Sequence, residues 1–424
     1  MAETLIIDAQ MFDGRPGGRA EFRLPDIAVG SSIRIGELGA LVAPGAGGDS
    51  VRFPITSGIW SLIERITLYA DDNTVLDEVY QPYELMGFLN TLDSSPACVS
   101  KSALLKTSYG FGLDADQTPG RPTLANSYQF EAPLKTYCGF GAPITQVRSF
   151  STTVGNTLTG EVDLRDVLPL LKAISYFPGH ILKNSRLVLE FNPEPTGNGV
   201  FFTLNSDLTV YGDALTGWSA IRPIMMVELA PQITQPDFSV QFPAWRWDQA
   251  YVGAAAVNVQ TYKMKSFEGK FVSRMLLIHD YPATNALQAV LGLVDAYSPA
   301  LNETLAVYNQ GRTVVPYKGL TQSNRLGMCT DTFGRQTLPF GSHLISTVQT
   351  DPKFFQQIDP CRHTAGNLAY YGFEINALVD NLQIEINRLA TMGIPWLDAA
   401  HVLMAYAQVV RQIVVKGGQV SVSE

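Results

Sequence analysis

The 424-residue chain is 46% hydrophobic and only 16% charged, with a formal net charge of −9. That length predicts two or three domains, and the balance is that of a packed globular protein, not of a disordered or fibrous one. No stretch reaches the roughly 18 to 20 uninterrupted apolar residues of a membrane span, and the opening MAETLIIDAQMFDGRPGGR lacks the basic-then-apolar order of a secretory signal.

The charge is unevenly spread. Residues 1–230 hold 16 Lys+Arg against 25 Asp+Glu, whereas residues 231–424 hold 14 of each. Attraction to nucleic acid rests on cations neutralising phosphates, so no sequence-specific nucleic-acid partner is expected. Cys98, Cys138, Cys329 and Cys361 form no C-x-x-C pair. They are expected to be small buried hydrophobes of a protein made inside a cell.

Residues 1–20 are Gly-rich around an apolar knot at Met11-Phe12, a pattern that predicts an extended N-terminal arm. A first domain is expected over 21–230. Within it, VRFPITSGIWSLIERITLYA supplies strands, YQPYELMGFLNTL (80–92) a short helix, and 93–155 a long run of turn formers. Loops beyond about 15 residues generally serve function or partners. Residues 156–164 alternate as a strand, Asp166 is expected to cap a short helix through Leu170-Leu171, and Leu187, Leu189 and Phe191 resume the alternation. Pro231, Pro236 and Pro243 predict a boundary near 228–242, so that residues 231–424 form the second domain. There, NLQIEINR places Leu382, Ile384 and Ile386 on one face. The stretch HVLMAYAQVVRQIVVKGGQVSV reads as one or two strands about Lys416-Gly417-Gly418. Short strands punctuated every 8–12 residues, with few helices, predict a mainly β protein built of two sandwiches.

An internal echo supports that duplication. LIERITLYADDNTVL (62–76) returns as LNETLAVYNQGRTVV (301–315) at a constant offset of 239 positions. Leu62, Glu64, Tyr69, Thr74 and Val75 match Leu301, Glu303, Tyr308, Thr313 and Val314. Both copies read as a hairpin whose turn is made of residues that tolerate unusual backbone angles.

Chemistry-bearing patterns are sparse. His180, His279, His343, His363 and His401 form no helical ligand pair, and Cys361 with His363 cannot fill a tetrahedral site. PGAGGDS (44–50) lacks the Lys-Ser/Thr of a phosphate loop, and there is no G-x-S-x-G elbow. Asp71-Asp72 and Asp163/Asp166 are accounted for as turn and cap residues. Trp245-Arg246-Trp247 is expected to be a core-facing aromatic pair in place of a stacking platform for bases or sugars. The sequence therefore predicts no enzyme, no catalytic residue, no cofactor and no metal.

GEVDLRDVLPLLKAISYFPGHILKNSRLVLEFNPEP resembles the double jelly-roll major capsid proteins of polinton-like viruses, virophages and, more distantly, adenovirus hexon. The resembling elements are Val162-Asp163-Leu164, the run from Val167 to Leu171, and Arg186, Leu187, Leu189 and Phe191. The order Leu382–Ile386, Pro395-Trp396, Val402–Val415 is similar to the second jelly roll of that family. The resemblance implies two fused jelly-roll β-sandwiches with short helices in inserted loops, and a homotrimeric, pseudo-hexagonal capsomer of an icosahedral DNA-virus shell. It further implies neighbouring capsomers, penton and minor capsid proteins as partners, with possible contact to an inner membrane. The chain would be made in the host cell and reside in the virion. Met11 and Phe12 would tie neighbouring capsomers, and the loops at 93–155 and 316–372 would carry outer surface. The alternatives left open by the residues are a tandem β-sandwich that binds carbohydrate or a receptor and, farther off, an enzyme on a β-sandwich scaffold, which would need a convergent acid/base cluster.

Overall fold

The computed structural model describes residues 3–43, 50–52, 58–71, 73–89, 156–195, 202–204, 217–231, 237–253, 259–280, 303–314, 328, 331–333, 370–388 and 401–424. The four cysteines, Pro395-Trp396, all of 93–155, and 316–372 apart from 328, 331–333 and 370–372 lie outside these residues.

The first half contributes β1 (Thr4–Asp8), β2 (Met11–Phe12), β3 (Arg19–Arg23), β4 (Ala28–Ala43), β5 (Ser50–Arg52), β6 (Ile63–Tyr69), β7 (Val75–Tyr80), β8 (Asn156–Asp163), β9 (Tyr176–Pro178), β10 (Arg186–Phe191), β11 (Phe202–Leu204), β12 (Gly217–Ala220) and β13 (Ile224–Leu229). Helices α1 (Pro82–Leu89) and α2 (Pro169–Ala173) sit in its connections. One sheet runs β1-β13-β4, with β8, β9 and β12 also on the long β4, and the other runs β2-β3-β10-β6-β7. Numbered in chain order, the principal strands β1, β3, β4, β6, β7, β8, β10 and β13 interleave as first–eighth–third–sixth and second–seventh–fourth–fifth. That is the order two Greek keys generate in a jelly roll.

The second half repeats it. Strands β14 (Phe238–Val252), β15 (Val259–Lys263), β16 (Phe271–Asp280), β17 (Glu303–Asn309), β18 (Arg312–Thr313), β19 (Tyr370–Leu378), β20 (Gln383–Arg388) and β21 (His401–Lys416) form sheets β14-β21-β16-β19 and β15-β20-β17-β18. These are again first–eighth–third–sixth and second–seventh–fourth–fifth, with β22 (Gln419–Ser423) added beside β21. Among the described residues no strand ladder crosses between the halves.

The echoed hairpins fall on the same two strands of each sandwich, β6–β7 and β17–β18. Their turns use left-handed backbone where the sequence placed turn formers: Asn73 at φ 63° in one, Gln310 and Gly311 at 54° and 73° in the other. Alternation dictates the packing of β20, where Ile384 and Ile386, like Leu382 just before the strand, are buried between half-exposed polar residues. Pro243 lies inside β14, paired with Val410, and does not mark the boundary. β14 is the end strand of its sheet, where a missing N–H goes unused.

Two further expectations are corrected. Residues 4–12 are not a free arm. β1 is the first strand of the jelly roll, paired with β13 from Thr4↔Glu228 to Asp8↔Ile224, and β2 pairs with β3. The alternation Leu5/Ile7 packs toward the core while Thr4, Ile6 and Asp8 stay outside, and that burial anchors the segment. Asp166 does not cap α2. Asp163 caps the 3₁₀ turn Leu164–Asp166 through the Arg165 amide, and α2, with Leu168 as its N-cap, has no side-chain cap from that residue.

Candidate functional site

The most elaborate polar constellation in the described residues lies where the two sandwiches meet. Strand β7 and helix α2 of the first pack on β14 of the second. Strand β7 reads VLDEVY, and each of its polar residues, together with the carbonyls at its two ends, has a partner at this seam or in the elements beside it.

Asp77 is fully buried. One carboxylate oxygen accepts the Leu170 amide at 2.9 Å and the other the Glu78 amide at 3.0 Å. It thereby does for α2 what Leu168 cannot, satisfying an orphan N–H of the first turn. Burial pushes its pKa up to about 7, against the opposing pull of the Leu170 amide, the Arg246 guanidinium and the Glu78 amide.

Arg246 joins the sandwiches. Its Nη1 lies 3.5 Å from Glu78 Oε1 of the first half, and its Nε donates to Glu424 Oε1 at 2.8 Å. Glu424 also takes Lys270 Nζ at 2.9 Å and lies 3.1 Å from Arg411 Nη1. Burial disfavours the charge on Glu424, but the hydrogen bonds from Arg246 and Lys270 prevail and hold its carboxyl below its usual value. Arg411, with a side chain only 5% exposed, donates its other nitrogen to the Val75 carbonyl.

Farther along β7, Tyr80 stacks on Trp247 with centroids 3.9 Å apart and planes 16° from parallel. Tyr406 donates its hydroxyl to the Gln81 carbonyl at 3.0 Å. Burial and a hydrogen bond to Glu64 raise the Tyr80 pKa, and burial likewise raises that of Glu64. Of the Trp pair, Trp245 is buried in the core and Trp247 packs half-buried against it while also stacking on Tyr80 of the other sandwich. The one hydroxyl beside a carboxylate here is Tyr80 on Glu64, and its raised pKa makes it a poor nucleophile; among the described residues no three His, Cys, Asp or Glu converge as metal ligands. What the arrangement does is fix one sandwich against the other.

No family model and no curated protein matches the sequence. Solved structures do match its fold over nearly its whole length. The Sputnik virophage structure at 3.5 Å aligns with TM-score 0.59 and 12% identity, covering 100% of this chain and 88% of that one. PBCV-1 VP54, as fitted into a reconstruction of Sputnik, aligns at 0.58 and 10%, covering 100% and 97%. The mavirus major capsid protein aligns at 0.55 and 11%, covering 99% and 90%. The fold is that of the double jelly-roll major capsid proteins.

Within that double jelly roll, the two residues expected to make inter-capsomer contacts sit side by side on β2. Phe12 packs edge-on against Phe191, with centroids 6.3 Å apart and planes at 86°, and so belongs to the first sandwich. Met11 is 49% exposed, with Arg19 Nη2 3.1 Å from its sulfur. Sequence reasoning missed the seam residues Asp77, Glu78, Tyr80, Arg246, Tyr406, Arg411 and Glu424. Only the Arg between two Trp stood out, and its ion-pair partners lie 168 and 178 positions away.

Proposed function

We propose that this chain is a major capsid protein that assembles as homotrimers of pseudo-hexagonal outline in the shell of an icosahedral DNA virus. The observation that carries the reading is the asymmetry of the seam. The β7/α2 side of the first jelly roll meets the β14/β21 side of the second, so the two sandwiches touch head to tail through different surfaces. Among the described residues, each chain then keeps one copy of each surface unmatched. Heterologous contacts of this kind either close a ring or run on as a filament. Three chains supply six similar wedges, and a six-wedge ring tiles a hexagonal sheet.

The likeness to the PBCV-1 VP54, Sputnik virophage and mavirus capsid structures supports the same role. The partners are further copies of the chain and neighbouring capsomers. Because a six-lobed block cannot occupy a five-fold vertex, a distinct penton protein, together with minor capsid proteins, completes the shell, with an inner membrane as a possible neighbour. The protein would be made in the host cell and reside in the virion. Met11, exposed beside the core-anchored Phe12, is the part of the expected inter-capsomer contact that remains available. Class averages of the purified protein in negative stain test the reading. Three-fold particles with six lobes are expected, and particles showing only two lobes overturn it.

A further inference from the structure

The ions of the seam are unequally matched. Arg246 Nε donates to Glu424 Oε1 at 2.8 Å, Lys270 Nζ lies 2.9 Å from Glu424 Oε2, and Arg411 Nη1 lies 3.1 Å from Oε1. One carboxylate thus serves three cations. Among the described residues, the second acid ion-paired in this group is Glu78, 3.5 Å from Arg246. Asp77 also feels the Arg246 charge, but burial holds it protonated up to about pH 7. Below that pH three cations face two ionised acids, and the group carries positive charge in excess.

Arg411 shows the shortfall most plainly. Its side chain is only 5% exposed and Nη2 donates to the Val75 carbonyl, yet Nε and Nη1 donate no hydrogen bond among the described residues. Buried N–H groups without acceptors cost free energy, and guanidinium forks pair best with oxyanions that present several acceptors together. The Glu424 carboxylate presents two oxygens. A tetrahedral oxyanion presents four, with up to twice the charge. The group opens to solvent on one side: the Glu424 and Lys270 side chains are 18% and 26% exposed, whereas Arg246 and Arg411 are nearly enclosed.

We propose that Arg246, Lys270 and Arg411 form a binding site for a tetrahedral oxyanion (phosphate, sulfate or a phosphate ester), with the Glu424 carboxylate as the internal ligand that the anion displaces. Arg246 on β14 and Arg411 on β21 are fixed by strand pairing, and Lys270 immediately precedes β16. The cations therefore stay in place when the Glu424 side chain swings out. A dianion in its stead neutralises the group and keeps Arg246 against Glu78 of the first sandwich, so the ligand stabilises the seam. The site lies within one chain and does not depend on the trimeric reading.

The test is urea unfolding of the full chain below pH 7 in sodium sulfate or phosphate, against sodium chloride of equal ionic strength. Two variants are compared, Glu424→Ala and Glu424→Ala with Lys270→Met. Without the internal competitor, two or three charge-assisted bonds set an expected dissociation constant of about 1 mM. The Glu424→Ala midpoint should rise saturably with the oxyanion, and adding Lys270→Met should weaken that response at least about tenfold. The general salting effect of these anions is shared by both variants and cancels. Glycerol phosphate separates the sources: an equal response assigns the site to phosphate esters as well, and a response to the inorganic ions alone confines it to them. Equal midpoints in oxyanion and chloride, or an undiminished response in the double variant, overturn the proposal. If Glu424→Ala fails to fold, wild type and Lys270→Met are compared in the same salts, and a wild type that gains no more than Lys270→Met overturns it.

Discussion

Asp77 gives the seam a pH dependence opposite to that of ordinary paired carboxylates. Its pKa stands at about 7 in the folded protein against 3.8 for the free side chain. Between those values the folded chain holds a proton that the unfolded chain has released, so stability falls as pH rises across that interval and levels off above it. Roughly three pH units at about 1.4 kcal/mol each set the full effect near 4 kcal/mol, an upper figure for a single group. Asn in place of Asp77 retains an oxygen for the Leu170 amide and carries no charge, but its NH2 group cannot accept the Glu78 amide. The variant Asp77→Asn should therefore start below wild type near pH 4 by about 1 kcal/mol, one lost hydrogen bond, and gain on it by about 2–4 kcal/mol by pH 8. Urea unfolding of both proteins at pH 4, 6 and 8 measures the difference, in which all other titrating groups cancel. The reasoning is refuted if the variant does not gain on wild type with rising pH, or if it is the less stable protein at pH 8.

Glu424→Gln leaves Arg246 and Arg411, with side chains 12% and 5% exposed, short of their shared anion. Removing one partner of a buried network costs about 3 kcal/mol, which a depressed urea midpoint at pH 7 should register. Because the Glu424 pKa is lowered, its contribution is present above the normal carboxylate range and fades as pH falls through the lowered value, so the two proteins should converge in acid. Deleting residues 1–12 removes β1 and β2, and is expected to depress the melting temperature of the first sandwich and expose its β13 edge. A truncated trimer of unchanged stability that merely fails to form lattices would restore the free-arm reading.

The architecture was legible wherever alternation and punctuation are local. The strand in NLQIEINR, the helix near 80–92, the strand at 187–191 and the twin hairpins 239 positions apart follow from side-chain period and turn chemistry alone. The opening segment misled because Gly14, Gly17 and Gly18 dominate its composition, while Leu5 and Ile7 alternate over only five residues. The cap of α2 was misassigned for a different reason. A sequence neighbour, Asp166, looked sufficient, yet the amide of Leu170 is taken by Asp77 from 93 positions away. The seam was beyond reach altogether. Arg246, Arg411 and Glu424 look like ordinary surface charges until tertiary structure removes them from water, and no local period announces which cation meets which anion.

The most direct test of the account is the native mass of the purified full chain in mild buffer. A stable species near three times 46.3 kDa is the predicted result. A strict monomer at every concentration would contradict it, since both unmatched jelly-roll surfaces would then be shown to need no partner.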